Sequence, residues 1–476
     1  MNNLVNTMIF QMARRTHTEL TEEHYEILEF AYEYYCKNRV GPLYHILYQK
    51  LGFAQDHIDS LFPYGLFSIY SWLGINIQNP NQPCKPLANI DVENYREVYF
   101  DHNGTTYLRD HVKKVLEQFY NDDGNYGNPS SSTTLGKIAY EHIFQARRTI
   151  AETLKVSPGE IRFTSGGTEA NNLALKGIAF NHLKKKGHII SSSIEHASVL
   201  NTLKWLESIG YEVTLLGVTP DGMIPLKELK SAFRKNTILV SIMAVNNEIG
   251  VINPIQKIAK ICKEQGVPFM SDCAQAYGKI PLRPKTDGIS IMTFSGHKIY
   301  APKGTGGIFI DDSIQLTPII HGGEQELGIR SGTENLASIV CLGKAAKLMH
   351  SDMHRETARL TKLRDYFLIK MEQNVTSFRV NGSMTNRLPN NLNIGLKGVD
   401  SGAMLLSLNR IGIYVSSGSA CSAGSSESSH VIKAIGGNKE YGTLRFSFGL
   451  KTSVEDIDYL FEYLPTLVKQ LRSDIH

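Results

Sequence analysis

Cysteine is scarce in this chain, and long apolar runs are missing. The six cysteines among 476 residues form no CxxC pair, and no histidines stand beside them at metal-ligand spacing: Cys36, Cys84, Cys262, Cys273, Cys341 and Cys421. The sequence therefore predicts neither a disulfide framework nor a metal site. No segment reaches the roughly 18 consecutive apolar residues of a membrane-spanning helix, and the N-terminal segment lacks the plan of a signal peptide. We expect a reducing, cytoplasmic location.

An excess of either charge is also missing. Lysine and arginine number 50, and aspartate and glutamate number 46, which leaves a formal net charge of +4. This balance predicts no direct contact with nucleic acid or with a membrane surface. The length instead allows two or three domains, because single domains typically hold about 100 to 200 residues.

The first part of the chain is typical of a small all-α module. We interpret residues 1–19 as a tail and residues 20–76 as three helices, because apolar residues recur at helical spacing in three places. The first helix is capped by Thr21, the second begins near Pro42, and the third follows the turn at residues 63–65. Three prolines in a polar stretch then indicate a linker over 77–97, which carries Cys84.

After the linker, short apolar or β-branched runs alternate with helical patterns, as the βαβ units of a mostly parallel sheet require. Five of these runs are predicted strands, and each is followed by chemically capable residues: 161–165, 188–193, 237–245, 267–272 and 288–295. Because the carboxyl ends of parallel strands meet at one edge of a sheet, we expect the residues that follow them to converge.

Two of these strand ends suit a phosphate-bearing cofactor that is linked to an amine. Gly167 and Thr168 stand where a strand turns into a helix, and they offer free amides and a hydroxyl to a phosphate; a plain structural turn is the alternative. Lys298 is a candidate for a Schiff base, with Ser295 and His297 beside it to hold the same phosphate. A solvated lysine is the alternative for Lys298.

An acid and a thiol complete the candidate set. Asp272 ends a strand within an apolar run, where an unpaired carboxylate is costly, so a cationic partner such as a protonated pyridine nitrogen is expected. Gln275 is placed to hydrogen-bond the phenolic oxygen of such a ring. Cys421 lies in a Ser/Gly-rich loop, where it is either a nucleophile that swings into the site or an incidental cysteine.

From Val98 onward the chain resembles the cysteine desulfurases of the class V aminotransferase group, the NifS/IscS-like enzymes. The resemblance rests on eight ordered motifs: FTSGGTEANN (163–172), EH (195–196), SIMAVNNEIGV (241–251), SDCAQAYGK (271–279), SGHKIYAPKG (295–304), IRSGTEN (329–335), VSSGSACS (415–422) and LRFSFG (444–449). It implies the α/β fold of the fold type I pyridoxal-phosphate transferases. A large domain over 98–350 would hold a mostly parallel mixed sheet, and a smaller α+β domain would follow over 351–476.

The resemblance also implies pyridoxal 5'-phosphate as the cofactor and a set of residues that bind it. Lys298 would carry the cofactor, His196 would stack on its ring, and Asp272 would pair with its nitrogen. Thr333 would reach the phosphate of a neighbouring subunit, which implies a homodimer. The full cofactor-binding set is Gly167, Thr168, His196, Asn247, Asp272, Gln275, Ser295, His297, Lys298 and Thr333.

For the reaction, the resemblance implies a cysteine desulfurase that converts L-cysteine to L-alanine. Arg445, with Asn247, would bind the substrate carboxylate through a bidentate pair. Lys298 and His196 would belong to the catalytic set, and the amine of Lys298 would move protons. Cys421 would attack the substrate sulfur and keep it as a persulfide for acceptor or scaffold proteins. A selenocysteine lyase would share every cofactor residue, and a non-enzymatic sulfur-relay scaffold is a further alternative.

The chain departs from the family pattern at three positions, none of which removes a catalytic group. Gly104 in DHNGTT stands where the family usually has alanine, and Thr133 stands where histidine is usual. Glu324 lies in HGGEQE (321–326). The direction of their effects does not follow from the sequence.

Residues 20–86 resemble the DsrC/TusE sulfur-carrier family through LTEEHYEILEFAYEYY, GPLYHIL, LFPYG and the trailing Cys84. This implies a sulfur relay in which Cys421 passes its sulfur to Cys84 by thiol exchange. The alternative is that the module docks a partner and Cys84 is incidental. Transfer-RNA thiolation, iron–sulfur cluster assembly and sulfur metabolism all stay open as destinations.

Overall fold

The computed structural model describes residues 3–38, 40–73, 95–121, 125–418, 429–438 and 440–473, so Cys84 and Cys421 lie outside the described residues. Its helices are α1 (Asn3–Arg15), α2 (Glu22–Asn38), α3 (Tyr44–Leu51), α4 (Gln55–Leu61), α5 (Leu66–Trp72), α6 (Asp110–Asn121), α7 (Thr134–Leu154), α8 (Gly167–Phe180), α9 (Ala197–Ser208), α10 (Leu226–Ala232), α11 (Ile255–Glu264), α12 (Pro284–Asp287), α13 (Leu336–Asn374), α14 (Ser401–Arg410), α15 (His430–Ala434) and α16 (Val454–Ser473). Its strands are β1 (Val98–Tyr99), β2 (Ile161–Thr164), β3 (His188–Ser192), β4 (Glu212–Leu216), β5 (Thr237–Ser241), β6 (Phe269–Asp272), β7 (Ile291–Ser295), β8 (Gly306–Ile310), β9 (Phe378–Val380), β10 (Asn391–Lys397), β11 (Ile413–Tyr414) and β12 (Tyr441–Ser447).

A seven-stranded sheet forms the centre of the fold, in the order β2-β8-β7-β6-β5-β3-β4. All five runs that we predicted as strands form strands of this sheet, namely β2, β3, β5, β6 and β7. Strand β8 is antiparallel to both β2 and β7, whereas the other pairings are parallel. The strands β3, β6, β7 and β8 are buried along their whole length, as their apolar composition requires.

A smaller antiparallel sheet, in the order β12-β10-β9, holds the second core. Its cluster of buried side chains includes Phe367, Phe446 and Phe448 from the C-terminal part, together with Val98 and Phe100. Strand β1 pairs in parallel with β11, which brings the segment after the predicted linker against the C-terminal part of the chain. Helix α13 connects the two cores and runs past residue 350 without a break.

The N-terminal module is helical, as predicted, and it has its own core. Ile27, Leu28, Phe62 and Trp72 are among its buried side chains. Helix α4 was not predicted. The interpretation of residues 1–19 as a tail is wrong for α1, because apolar residues one helical turn apart bury that helix against the module.

The module also contacts the part of the chain that follows the predicted linker. Arg15 at the end of α1 forms an ion pair with Glu97, with 2.6 Å between Nη2 and Oε1. The same guanidinium lies over the ring of Tyr414, 5.9 Å from its centroid. Tyr414 ends β11, the strand that leads toward Cys421.

The cysteines differ in one respect from the prediction. Cys262, Cys273 and Cys341 are buried and free. Cys36 on α2 is disulfide-bonded, so the expectation of a chain without disulfides is wrong at this residue. A disulfide depends on the distance between two Cα atoms, which the spacing of cysteines in the sequence does not give. In the part of the chain that the structure describes, no helix is long and apolar enough to cross a membrane.

Candidate active site

The predicted convergence occurs at one edge of the large sheet. Because β8 reverses direction between β2 and β7, the strands β2, β3, β5, β6 and β7 all point the same way. Hydrogen bonds then join residues that follow different strands. Asn171, on the helix after β2, donates from Nδ2 to Oδ2 of Asp272 at the end of β6, at 2.7 Å. Asn171 also accepts from the hydroxyl of Thr293 on β7, at 2.6 Å.

Asp272 is a buried carboxylate whose hydrogen-bond donors are neutral. Its side chain belongs to a residue that is 6% exposed. Oδ1 accepts from the backbone N–H of Ala274 at 2.9 Å, and Oδ2 accepts from Asn171. Among the described residues it forms no ion pair with a lysine or an arginine. A buried carboxylate of this kind fits a protonated pyridine nitrogen as its cationic partner.

His196 is held in one tautomer by the start of α9. Its Nδ1 accepts from the backbone N–H of Ser198 at 3.1 Å, and it lies 2.8 Å from the hydroxyl oxygen of Ser198. Because a backbone N–H can only donate, Nε2 carries the proton of the neutral ring. Burial lowers the pKa of His196, against the opposing effect of the nearby Asp272. The ring is therefore neutral at pH 7, and it can stack on an aromatic cofactor.

Lys298 lies in the short 3-10 turn that follows β7. Its Nζ donates to the carbonyl oxygens of Asn103 and Gly104, at 2.5 and 2.6 Å. Gln275 donates to the same Asn103 oxygen at 2.8 Å, and its Oε1 accepts from Nζ of Lys279 at 2.8 Å. Burial, and then the positive charge of Lys298, lower the pKa of Lys279 to about 7. Two amines therefore lie close together at this edge.

The region predicted to hold the phosphate brings the N-terminus of α8 next to the end of β7. A Cβ placed on Gly167 would lie 3.5 Å from the Cβ of Ser295. Thr168, in the first turn of α8, is exposed. Nδ1 of His297 lies 3.0 Å from the hydroxyl oxygen of Thr105, and burial lowers the pKa of His297 to about 4. Free helix amides, a hydroxyl and a neutral imidazole are groups that bind a phosphate well.

Arg445 reaches this edge from the small sheet. It lies on β12 and is 1% exposed. Its Nη1 donates to the carbonyl oxygen of Asn247 at 3.1 Å, and its Nη2 lies 2.5 Å from Oδ1 of Asp101. The candidate carboxylate-binding cation thus sits against the segment that contains Asn247, after β5.

Both described ends of the segment that carries Cys421 also lie at the site. The backbone of Ser416 pairs with that of Arg445, through hydrogen bonds of 2.6 and 3.3 Å. On the other side, the hydroxyl of Ser429 donates to Oε2 of Glu248 at 2.5 Å. Because Glu248 follows Asn247, the segment leaves and returns beside predicted site residues. Cys421 itself lies outside the described residues.

Thr333 is the predicted cofactor residue assigned to a neighbouring subunit. It is exposed in the loop between β8 and α13. Glu326 anchors that loop, because its carboxylate accepts from both Nη atoms of Arg147 at 2.7 Å and from the backbone N–H of Phe163 at 2.7 Å. An exposed threonine on an anchored loop is suited to contact a second subunit.

The three departures from the family pattern have different structural settings. Thr133 caps α7, since its hydroxyl oxygen accepts from the backbone N–H of Gly136 at 3.2 Å. Glu324 is exposed, with a backbone φ of 58°. Gly104 lies directly against the carboxylate of Asp101.

The sequence analysis missed several residues that build this edge. Asn171 and Ser198 connect His196 to Asp272, because Nδ2 of Asn171 also donates to the hydroxyl of Ser198 at 2.9 Å. Asn171 lies within the quoted motif FTSGGTEANN, and Ser198 stands two residues after the quoted motif EH, so the signal was present. The carbonyl oxygen of Asn103 contacts both Lys298 and Gln275, and Lys279 contacts Gln275. Lys279 is the last residue of the quoted motif SDCAQAYGK.

Glu195, next to His196, should make the folding stability depend on pH. Burial raises the pKa of this carboxyl from 4.5 to about 8. Between those values the folded protein keeps a proton at Glu195 that the unfolded chain has released, so the contribution of Glu195 to stability falls as pH rises through this range. In Glu195→Gln we expect stability to fall less, or to rise more, with increasing pH than in the wild type, measured by denaturant unfolding at several pH values. The exposed Glu207→Gln should keep the wild-type slope, and an equally steep slope in Glu195→Gln would contradict the assignment.

Comparisons with known proteins cover the region from residue 98 onward. The model of the family "Aminotransferase class-V" matches residues 98–460. A protein named cysteine desulfurase IscS from Dictyoglomus turgidum is 43% identical over 380 residues, which are 79% of this chain and 96% of that protein. One from Methanosarcina thermophila is 43% identical over 387 residues, which are 81% of this chain and 95% of that protein.

Solved structures give the same picture. A NifS-like protein superimposes with a TM-score of 0.74 at 33% identity, over 79% of this chain and 100% of its own. A structure described as SspA in complex with cysteine superimposes with a TM-score of 0.65 at 36% identity, over 74% of this chain and 98% of its own.

Proposed function

The chain belongs to the class-V aminotransferase family and, within it, to the cysteine desulfurases, and we propose that it converts L-cysteine to L-alanine while Cys421 takes the sulfur. The predictions of the family, the fold class and the cofactor pyridoxal 5'-phosphate are thereby confirmed. The observation that carries the proposal is the placement of Lys298, Asp272 and His196 at one sheet edge, with Arg445 beside Asn247.

Each residue has a distinct part in this proposal. Arg445 would bind the substrate carboxylate, and the buried carboxylate of Asp272 would hold the protonated ring nitrogen of the cofactor. When bound, pyridoxal phosphate withdraws electrons from the substrate and so weakens its C–S bond. Lys298, once its amine is neutral, moves protons beside the neutral imidazole of His196.

The sulfur transfer needs no oxidant or reductant other than L-cysteine and Cys421. The thiolate of Cys421 attacks the substrate sulfur, so that an S–S bond forms as the C–S bond breaks. The electron pair of the C–S bond stays with the carbon skeleton, which takes up a proton and leaves as alanine. A persulfide remains on Cys421.

The test is to incubate the purified holoenzyme with L-cysteine and to measure alanine and the mass of the Cys421 peptide. We expect alanine to form and one additional sulfur atom on that peptide. Formation of alanine with sulfur on another cysteine would overturn the role of Cys421. An absence of alanine would overturn the proposed activity.

We also propose that the enzyme is a homodimer in which Thr333 contacts the phosphate site of the second subunit. Its exposed loop supports this, and so does an apolar surface on and around α6 and α7. The exposed side chains of that surface are Tyr120, Tyr126, Ile138, Tyr140 and Phe144. Sedimentation of the holoenzyme should give a dimer, and a monomer with full activity would contradict this proposal.

For the N-terminal module of the reduced enzyme, in which the disulfide of Cys36 is open, we propose a relay in which Cys421 hands its sulfur to Cys84. The contact of Arg15 with Tyr414 supports this, because Tyr414 lies on the strand that leads toward Cys421. The module is thus attached beside the segment that would donate the sulfur. Acceptors beyond Cys84 are sulfur-carrier or scaffold proteins.

Cys84→Ser tests the relay. We expect persulfide labelling of residues 1–96 during turnover to be lost, while alanine formation continues in the presence of a thiol reductant, because Cys84 acts only after the C–S bond has broken. Labelled L-cysteine and peptide mass spectrometry measure both. Cys262→Ser, at a buried cysteine, serves as the control. Unchanged labelling in Cys84→Ser would exclude the relay.

A further inference from the structure

Arg445 is paired with a carboxylate of its own chain. Its guanidinium is buried, and Nη2 lies 2.5 Å from Oδ1 of Asp101. A buried guanidinium without an anionic partner is costly. Asp101 therefore supplies the counter-charge of Arg445 when the site holds no substrate.

A substrate carboxylate needs the same nitrogen. A carboxylate that binds an arginine in a bidentate way accepts from two parallel N–H groups. These are either Nη1 and Nη2 or Nε and Nη2, because Cδ blocks the third side of the guanidinium. Both arrangements therefore use Nη2. Within the described residues, Nη1 of Arg445 is bonded to the carbonyl oxygen of Asn247 and Nε has no hydrogen-bond partner. Two carboxylates on one buried guanidinium also repel each other. Substrate and Asp101 are thus in competition for Nη2.

Gly104 makes room for the competing carboxylate. A Cβ at this position would lie 2.3 Å from Oδ2 and 2.8 Å from Cγ of Asp101. The backbone N–H of Gly104 also donates to Oδ1 of Asp101, at 3.2 Å. Gly104 does not have a positive φ, so alanine would fit the backbone and would displace only the carboxylate. This glycine is one of the three departures from the family pattern.

We propose that Asp101 is a positioning residue that competes with the substrate carboxylate for Arg445, and that Gly104 makes its competing position available. This inference rests on the proposed function, because it concerns the same substrate site. The pair sets how tightly the enzyme binds L-cysteine without taking part in the cleavage of the C–S bond.

The experiment measures KM and kcat of the holoenzyme for L-cysteine in two variants. Asp101→Asn keeps a hydrogen-bond acceptor for Arg445 but removes the charge, and we expect KM to fall about tenfold. We expect kcat to change by less than about twofold, because the substitution would strengthen binding of the substrate and of the transition state by the same free energy. Gly104→Ala keeps both charged groups but moves the carboxylate, and KM should fall in the same direction. Asp110→Asn, at an exposed carboxylate, is the control and should leave KM unchanged.

Each outcome decides the question. A raised KM in both variants would mean that Asp101 holds Arg445 in place for the substrate, which overturns the competition. An unchanged KM in variants that unfold at the wild-type temperature would also overturn it. If Asp101→Asn does not fold, Gly104→Ala decides by itself. A wild-type enzyme that forms no alanine would instead show the failure of the proposed function.

Discussion

Lys298→Ala should lower the rate of alanine formation from L-cysteine by at least about a thousandfold. The substitution removes the amine that is proposed to attach the cofactor and to move protons during the reaction. Nζ of Lys298 donates to the carbonyl oxygens of Asn103 and Gly104, which places the amine at the end of β7. The measurements are kcat with saturating cofactor and the visible absorbance of the purified protein.

The matched control for this variant is Lys263→Ala, at an exposed lysine on α11. It should keep wild-type activity and absorbance. The nearest rival amine is Lys279, because its pKa of about 7 leaves much of it neutral at physiological pH. A Lys298→Ala variant that retains more than about a tenth of the wild-type rate would show that another amine attaches the cofactor and moves the protons.

Cys421→Ala should lower turnover of L-cysteine by at least about a hundredfold while the cofactor remains bound. The reason is that the attacking thiolate is lost, whereas Lys298, Asp272 and His196 keep their positions. The same variant separates a desulfurase from a selenocysteine lyase, because a desulfurase would lose its turnover of L-cysteine whereas a lyase would keep much of its activity toward selenocysteine. Alanine formation from both substrates is the measurement.

The control for the thiol is Cys262→Ala. Cys262 is 1% exposed, and burial raises the pKa of its thiol to about 12, so it is neither accessible nor ionised. We expect normal turnover and a modest loss of stability from the small cavity. If Cys421→Ala turns over L-cysteine at the wild-type rate, Cys421 is an incidental cysteine of its loop.

The parts of the fold that could be predicted are those in which the order of apolar and polar residues along the chain matches the faces that are buried. β2, β3, β5, β6 and β7 were recognisable because a strand buried on both faces is apolar along its length. β8 was missed, because two of its five residues are glycines and its sequence resembles a turn. Helix α4 was missed because only its Ile58 is buried, so it has no apolar stripe.

For the site, the sequence predicted the residues that stand directly after strands. Lys298 and Asp272 could be found in this way, because a strand end fixes where the next side chains lie, whereas the role of His196 came from the resemblance to the cysteine desulfurases. The pairing of Asp101 with Arg445 could not, since 344 residues separate them and it depends on how the two sheets meet. The contact between Lys279 and Gln275 depends likewise on how the chain folds after β6.

The most direct test of the account is to reduce the holoenzyme with borohydride and to locate the pyridoxyl group by peptide mass spectrometry. If the ends of β2, β3, β5, β6 and β7 form one cofactor site, the group will be on Lys298. Finding it on Lys279, on any other lysine, or on none after loading with pyridoxal phosphate would contradict that site.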